Sequence, residues 1–547
     1  MDDSQSTQAG TERDPVESEP TGAAPADPTP PAPPAPEASD ASVPPAKPFA
    51  GLPPAPPFPA VPPVPALAGP PRTPSSFPVH RWDRPGVAPG AQVLGAVLLA
   101  ALLGAGTVTL DRPGLGWLLT GFAVVAVVVA TSVQFRVRLA VGRWLWALAG
   151  IALLAVGTVR AADWLYLVCL PMAGLCAAQA LVDGASLRNM VAGVLAGPVA
   201  VLRALPWAGR GIRGMSPGAR PQALGRLLAS AAVSVVLLIV FGALFASADD
   251  AFARLVGRIV PDADLSGLPR WLFLFTAIGL GSLGIGYLVA SRPQLTEAGE
   301  PRRPLRLLEW ALPVALLDAL FALFVLVQVT VLFGGRDHVL RPGGPDFAQY
   351  ARGGFWQLLV VTMLTLGVVG VVVRWAPRVG RADRTAIRAL VGALAALTLV
   401  IVASALKRMA LYEEVYGYTR LRLVISATEL WLGLLFVLVL VAGVRLRTRW
   451  LPRAVLASAV IGLLALAAVD PDRFIADRNV DRFERTGRVD MFYLSGLSAD
   501  AVPALTRLPA DVRSYPLAEI TARLDDQPDS WYGYNLGRSR ARRLASP

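Results

Sequence analysis

The chain has 547 residues, of which 54% are hydrophobic and 16% charged, and its mean hydropathy is +0.51. These values exclude an ordinary water-soluble protein and indicate a chain that lies largely in a membrane. Two cysteines exclude a disulfide framework, and two histidines make a histidine-based metal site or a Ser-His-Asp triad hard to assemble, so no metal or other cofactor is expected.

The N-terminal segment is rich in proline and acidic. The first 90 residues hold 26 of the 48 prolines and carry ten acidic against five basic residues. Proline runs favour polyproline II and supply few apolar side chains, so residues 1–88 are predicted to form a disordered, Pro/Ala-rich acidic arm. The start of the arm lacks the pattern of a secretory signal peptide, and no cleavage is expected.

Eleven apolar stretches follow, each long enough to cross a hydrocarbon layer of about 30 Å as a helix. The predicted fold class is therefore all-α, a polytopic transmembrane helical bundle. Residues 89–182 hold four spans, 183–225 form a basic cytoplasmic loop, 226–469 hold seven spans, and 470–547 form a small extracytoplasmic helical domain. The predicted spans are 91–110, 114–133, 143–160, 164–182, 226–246, 270–291, 308–333, 355–374, 386–406, 422–443 and 450–469.

The arginines predict the orientation of the bundle. Counted together with the ends of the adjoining spans, the loops after the even-numbered spans carry 22 basic residues and the loops after the odd-numbered spans carry 12. Because basic loops stay in the cytoplasm, the N-terminus is predicted to be cytoplasmic and, with eleven spans, the C-terminus extracytoplasmic. Since the basic residues punctuate apolar spans rather than cluster on a soluble domain, the expected partner is the lipid bilayer of a bacterial cytoplasmic membrane, and no nucleic acid is expected.

Two acidic residues lie inside predicted spans, Asp318 in the seventh and Glu429 in the tenth. A charge inside the bilayer costs several kcal/mol, so such acids are candidates for proton or cation relays. The alternative is a protonated or arginine-paired carboxylate that only fixes helix packing.

Two external segments carry candidate binding residues. The pair Asp249 and Asp250 opens an amphipathic stretch over residues 247–260, which is either an interfacial helix or part of a cation or acid-base site. The run 407–422 is dense in tyrosine and arginine, which can bind anionic headgroups or sugar phosphates but also anchor helix ends at the interface. Its candidate binding residues are Tyr412, Glu413, Arg420 and Arg422. No catalytic residue is assigned.

Several short strings carry a family resemblance. They are Phe245 to Phe252, Tyr412 to Arg422, Asn479 with Asp490, Tyr493 to Pro503, and the ending Trp531, Asn535, Arg538 and Arg540. Over residues 180–540 the chain resembles bacterial, actinobacterial-type, multi-pass membrane proteins with a domain of unknown function of the 4153 or 4173 type. The resemblance implies a membrane architecture and brings no activity, cofactor or catalytic residue.

Three functional hypotheses remain open. The first is a transporter-like or ion-coupled membrane protein that uses Asp318 and Glu429. The second is an envelope enzyme on a lipid-linked substrate that uses Asp249, Asp250 and the 412–422 run, although an incomplete catalytic set favours a protein that is not an enzyme. The third is a non-catalytic scaffold or sensor whose proline-rich arm recruits a cytoplasmic partner.

Overall fold

The computed structural model describes residues 79–182, 184, 186–215, 267–295, 306–333, 355–377, 380–446 and 448–545, with isolated positions from 234 to 252. In these ranges the chain is almost entirely helical, so the predicted all-α class is confirmed. One short antiparallel pairing joins β1 (Val79–Arg81) to β2 (Gln294–Leu295).

The long helices are, in chain order, α1 (Ala91–Thr107), α2 (Leu115–Gln134), α3 (Val141–Val159), α4 (Asp163–Val182), α5 (Leu187–Gly214), α6 (Leu268–Ala290), α7 (Leu307–Phe333), α8 (Phe355–Trp375), α9 (Arg381–Tyr416), α10 (Arg420–Arg445) and α11 (Leu451–Val469). A π-helical turn at Ile387–Val391 interrupts α9. The C-terminal domain contains α12 (Pro471–Thr486), α13 (Met491–Ser495), a 3-10 turn (Ala499–Ala501), α14 (Val502–Leu505), α15 (Ala510–Asp525) and α16 (Leu536–Ala545).

Ten of the eleven predicted spans coincide with described helices, and the span predicted over 226–246 lies outside the described residues apart from isolated positions. In the described part of the chain, ten helices are long and apolar enough to cross a membrane, and α1 is an apolar helix of 17 residues. That length is at the lower limit for a span, about 17 to 25 residues. The chain is thus a multi-pass membrane protein.

Contacts between helix ends sort the described loops onto two sides. The Gly90 N–H donates to Gln134 Oε1 at 2.8 Å, so α1 begins where α2 ends. Arg143 Nε donates to the Ala180 carbonyl at 2.5 Å, so α3 begins where α4 ends. We call the side on which α1 begins the proximal side and the opposite side the distal side. The Leu115 N–H at the start of α2 donates to the Tyr534 carbonyl at 3.1 Å, so the C-terminal domain lies on the distal side.

A loop was predicted over residues 183–225, but the structure contains helix α5 within this segment. Arginines and two internal prolines, Pro198 and Pro206, interrupt the apolar residues of this segment, so its sequence pattern is also typical of a loop. Its buried stripe consists of small residues at four-residue spacing, which lets α5 pack closely on other helices. The stripe comprises Ala192, Ala196, Ala200, Ala204 and Ala208.

Both ends of α5 lie on the proximal side, although its length and composition would allow it to cross. Near its start, a Cβ on Gly193 would contact the Val182 side chain at the end of α4. Near its end, Trp207 Nε1 donates to the Val87 carbonyl at 3.0 Å and Arg210 Nη2 to the Pro85 carbonyl at 3.1 Å, just before α1 begins. We infer that α5 lies along the proximal interface, so the segment is helical without crossing.

The hydrophobic cores follow this arrangement. Helices α1, α5 and α6 share one cluster around Trp207 and Tyr287, and α7 to α10 share another around Phe436. Helix α11 packs on α3 and α4 through Val460 and Ala467. The C-terminal domain has its own core, which includes Ile475, Val480, Leu494, Leu497, Leu505 and Ile520.

The position of α5 can be tested by labelling. Single cysteines at Arg188→Cys and Arg213→Cys should react with a membrane-impermeant maleimide from the same side of sealed vesicles, because these exposed residues lie at the two ends of α5. The natural Cys169 and Cys176 are buried. Asp111→Cys, on the distal side, should react only from the opposite side. Labelling of positions 188 and 213 from opposite sides would show that α5 crosses.

Candidate functional site: buried carboxylates and the distal interface

Glu429 is fully buried inside α10. Its exposed fraction is 0%, and neither carboxylate oxygen has a hydrogen-bond partner among the described residues. It lies on the buried stripe of α10 with Ile425, Leu432 and Phe436, at the three- and four-residue spacing of one helix face. Nine residues separate it from Arg420, so it lies about 14 Å along the axis from the distal start of α10.

Asp318 lies in α7, eleven residues, or about 17 Å, from the proximal start of that helix. Both of its oxygens are also without a hydrogen-bond partner in the described part of the chain. It follows Val314 by four residues and precedes Phe321 by three, so it shares the face of α7 that packs into the α7 to α10 cluster.

The run 407–422 is mostly helix rather than loop, which corrects the sequence interpretation. Helix α9 continues to Tyr416, and only residues 417–419 connect it to α10. Gly417 has a φ of +82°, a conformation that favours glycine. A Cβ there would also lie 2.6 Å from Asn479 Oδ1. The tight turn therefore depends on glycine.

The predicted binding residues of this run make contacts within the protein. The Arg422 guanidinium lies 4.3 Å from the centre of the Tyr412 ring and donates to the Gly417 carbonyl. Glu413 is 8% exposed, and its carbonyl accepts the Gly417 N–H at 2.9 Å. These contacts anchor the distal ends of α9 and α10, and a ligand-binding role for them stays a prediction.

Asp249 and Asp250 are not brought into a described site. Asp249 is exposed, and its Oδ1 accepts the Phe252 N–H at 2.8 Å, as a helix-capping carboxylate does. Asp250 and most of the stretch 247–260 lie outside the described residues, so the proposed cation or acid-base role is untested.

Arg420 reaches a partner that the sequence analysis missed. Its Nε donates to Asp472 Oδ1 at 2.8 Å and its Nη2 to Asp472 Oδ2, which makes a bidentate pair. Asp472 is 0% exposed and also accepts the Ser498 N–H at 2.8 Å. Burial opposes its charge, but the hydrogen bonds and charge of Arg420, together with the Ser498 N–H, hold the pKa of this carboxyl below its usual range.

Two asparagines complete the docking of the C-terminal domain. Asn479 Nδ2 donates to the Tyr418 carbonyl at 2.9 Å, and its Oδ1 accepts the Tyr418 N–H at 3.1 Å. Asn535 Nδ2 donates to the carbonyls of Gly157 at 2.8 Å and Arg160 at 2.7 Å. One domain thus holds both the α9–α10 and the α3–α4 connections.

A signal for this interface exists in the sequence. Asp472 and Asn479 lie on the same helical stripe as Ile475, Ala476 and Val480, all of which are buried. Polar residues on the apolar stripe of an amphipathic helix indicate buried hydrogen bonds. The polar partners come from loops far away in sequence, which no local pattern identifies.

Removing the buried charge of Asp472 should lower the free energy of unfolding of the protein. Asp472→Asn leaves Arg420 without its carboxylate, and breaking a buried pair in this way costs about 3 to 5 kcal/mol. We expect that loss in the free energy of unfolding of the detergent-solubilised protein. Arg507→Gln, which breaks only exposed ion pairs with Asp477, Asp481 and Glu484, is the control and should cost about 1 kcal/mol or less. Equal losses for both variants would contradict this assignment.

Asp500 makes a second buried contact. It is 4% exposed, and its Oδ2 accepts the Ala161 N–H of the α3–α4 connection at 2.7 Å. A Cβ on Gly537 would lie 1.9 Å from Asp500 Oδ1, so glycine is needed there. Burial, reinforced by the carboxylate of Asp470, raises the pKa of Asp500 to about 7.

This raised pKa predicts a pH dependence. Folded Asp500 binds a proton that the unfolded chain releases above about pH 4, so its contribution to stability falls as pH rises to about 7. Asp500→Asn keeps an oxygen acceptor and cannot ionise. Between pH 4 and pH 8, we expect the free energy of unfolding of the variant to rise by about 2 to 4 kcal/mol relative to that of wild type, measured by denaturant unfolding. Asp511→Asn, at an exposed position, should follow wild type, and an identical profile for Asp500→Asn would refute the prediction.

The fold and these contacts define a class: a polytopic helical membrane protein whose distal loops are held by a small C-terminal helical domain. The chain belongs to the family described as Domain of unknown function (DUF4153), whose model matches residues 148–508. The match starts and ends earlier than the resemblance over 180–540 and includes Glu429, Asp472 and Asn479. Neither the characterised proteins nor the solved structures gave a match to this chain.

Proposed function

We propose that this protein is a transporter-like, ion-coupled membrane protein in which Glu429 and Asp318 bind and release a proton or another cation. The observation that carries the proposal is the environment of Glu429. This carboxyl group has 0% exposure and no hydrogen-bond partner among the described residues, inside a helix long enough to span a membrane.

The energetic argument is the cost of an unpaired charge. An ionised carboxylate without a partner in an apolar environment costs several kcal/mol, so the site requires a bound proton or cation to neutralise it. A carboxyl group that only fixed helix packing would be expected to have a hydrogen-bond partner. The carboxyl group of Asp318 on α7 also has no hydrogen-bond partner among the described residues. Both α7 and α10 pack against α9.

The orientation of the protein is part of the proposal. Arginines at the described ends of helices concentrate on the proximal side, for example Arg136, Arg138, Arg188, Arg213, Arg384 and Arg449. The positive-inside rule then makes the proximal side cytoplasmic and the C-terminal domain extracytoplasmic, in a bacterial cytoplasmic membrane. The enzyme hypothesis depends in part on Asp250 and the scaffold hypothesis on residues 1–88, and Asp250 and residues 1–78 lie outside the described residues.

Charge movement in reconstituted protein tests this function. Proteoliposomes adsorbed on a solid-supported membrane should give a transient current after a step in pH, because protons enter the membrane region to reach the buried acids. Glu429→Gln keeps the size and polarity of the side chain but cannot ionise, and it should abolish at least about 90% of the current. Asp318→Asn should reduce it as well.

The matched control is Glu414→Gln, which removes an exposed acid at the distal end of α9. This variant should give the wild-type current. Infrared difference spectra between pH 5 and pH 9 supply a second measurement, since Glu429→Gln should remove one protonated-carboxyl band that Glu414→Gln retains. A Glu429→Gln protein with normal folding, current and spectrum would refute the proposal.

A further inference from the structure

A cavity of about 320 Å³ lies on the distal side, between the membrane helices and the C-terminal domain. This volume is at the lower end of the range for small-molecule sites, about 300 to 1,000 Å³. The lining includes four arginines, one acid and one tryptophan: Arg112, Arg420, Arg523, Arg538, Asp163 and Trp164.

Backbone carbonyls fix two of these arginines without neutralising them. Arg112 Nη1 donates to the Gln527 carbonyl at 3.0 Å, and Arg523 Nη2 donates to the carbonyls of Ser495 at 2.6 Å and Leu497 at 2.9 Å. A carbonyl carries no net charge, and neither arginine forms an ion pair with any described residue. Both guanidinium groups therefore keep their full positive charge at the cavity.

The other two arginines are paired only in part. Arg420 uses Nε and Nη2 for Asp472, and Arg538, 4% exposed, uses Nε for Asp529 at 2.9 Å and Nη2 for backbone carbonyls. The Nη1 group of each has no acceptor among the described residues. A guanidinium has five N–H donors in a planar fork, so donors remain for a ligand.

Two helix N-termini and one carboxylate also contribute to the electrostatic potential of the cavity. Helix α4 begins at Asp163 and α10 at Arg420, so the positive ends of two helix dipoles border the cavity. Asp163 is exposed and forms no ion pair with the arginines around it in the described structure. Its carboxylate is the only negative charge among the lining residues given above.

We propose that this cavity binds a phosphate group, either as a free anion or as a phosphate ester. Arg112 and Arg523 supply the unneutralised charge, and the free Nη1 groups of Arg420 and Arg538 supply further hydrogen bonds. Asp163 acts as a counter-charge that weakens the binding of anions. Because α4 and α10 begin at the cavity, the phosphate can come from a lipid headgroup or from a solute, and Glu429 has no part in this site.

The experiment uses the full chain, purified in an uncharged maltoside detergent. Inorganic phosphate is titrated by isothermal calorimetry, and retention of phosphatidylglycerol against an uncharged diacylglycerol is measured by native mass spectrometry. Binding of phosphate alone assigns the site to a solute, and selective retention of phosphatidylglycerol assigns it to a lipid headgroup. Either result supports the proposal provided that the variants below respond as expected.

Three variants of the full chain locate the binding. Arg112→Gln should weaken binding about tenfold or more, because it removes a charge-assisted contact. Asp163→Asn should strengthen binding about threefold or more, an increase that misfolding would not produce. Arg507→Gln, an equal change of charge outside the cavity, should leave binding unchanged. The absence of binding by both ligands, or equal effects of Arg112→Gln and Arg507→Gln, would overturn the proposal.

Discussion

The carboxylate of Asp472 is the constraint on which the distal half of the molecule depends. It accepts hydrogen bonds from Arg420 at the start of α10, from Trp164 Nε1 on α4 at 3.2 Å, and from the Ser498 N–H within its own domain. An anion taken completely out of water requires several donors in good geometry. The position of one side chain therefore determines how two membrane helices and the C-terminal domain meet.

Arginine makes the rest of this interface. Arg112, Arg160 and Arg523 each donate to main-chain carbonyls, Arg160 also pairs with Asp470 at 2.6 Å, and Arg538 reaches the Pro113 carbonyl. Short loops between spans offer few side chains, but they do offer carbonyls at helix ends. A planar guanidinium can bind two such groups at once, which a lysine ammonium cannot do with the same rigidity.

Hydropathy alone predicted most of the spans, because a helix in lipid needs about 20 apolar residues in a row. It did not predict that α5 is helical, because arginines and prolines interrupt the apolar residues of this helix, which we infer lies along the interface without crossing. The burial of Glu429 follows from its place on an apolar stripe. Its lack of a partner does not, because partners depend on the packing of other helices. Likewise, Asp472 and Asn479 bind loops that are distant in sequence, and only the folded structure brings those loops together.

Helix α9 spans 36 residues, or about 54 Å, whereas a hydrocarbon layer is about 30 Å thick. Its distal end is bound to the C-terminal domain, where Arg482 Nη2 donates to the Val415 carbonyl at 2.7 Å. Its proximal end contains the π-helical turn at Ile387–Val391. Because α9 is continuous helix apart from this turn, a tilt of the C-terminal domain would move the proximal end of α9, and α9 would bend at the π-helical turn.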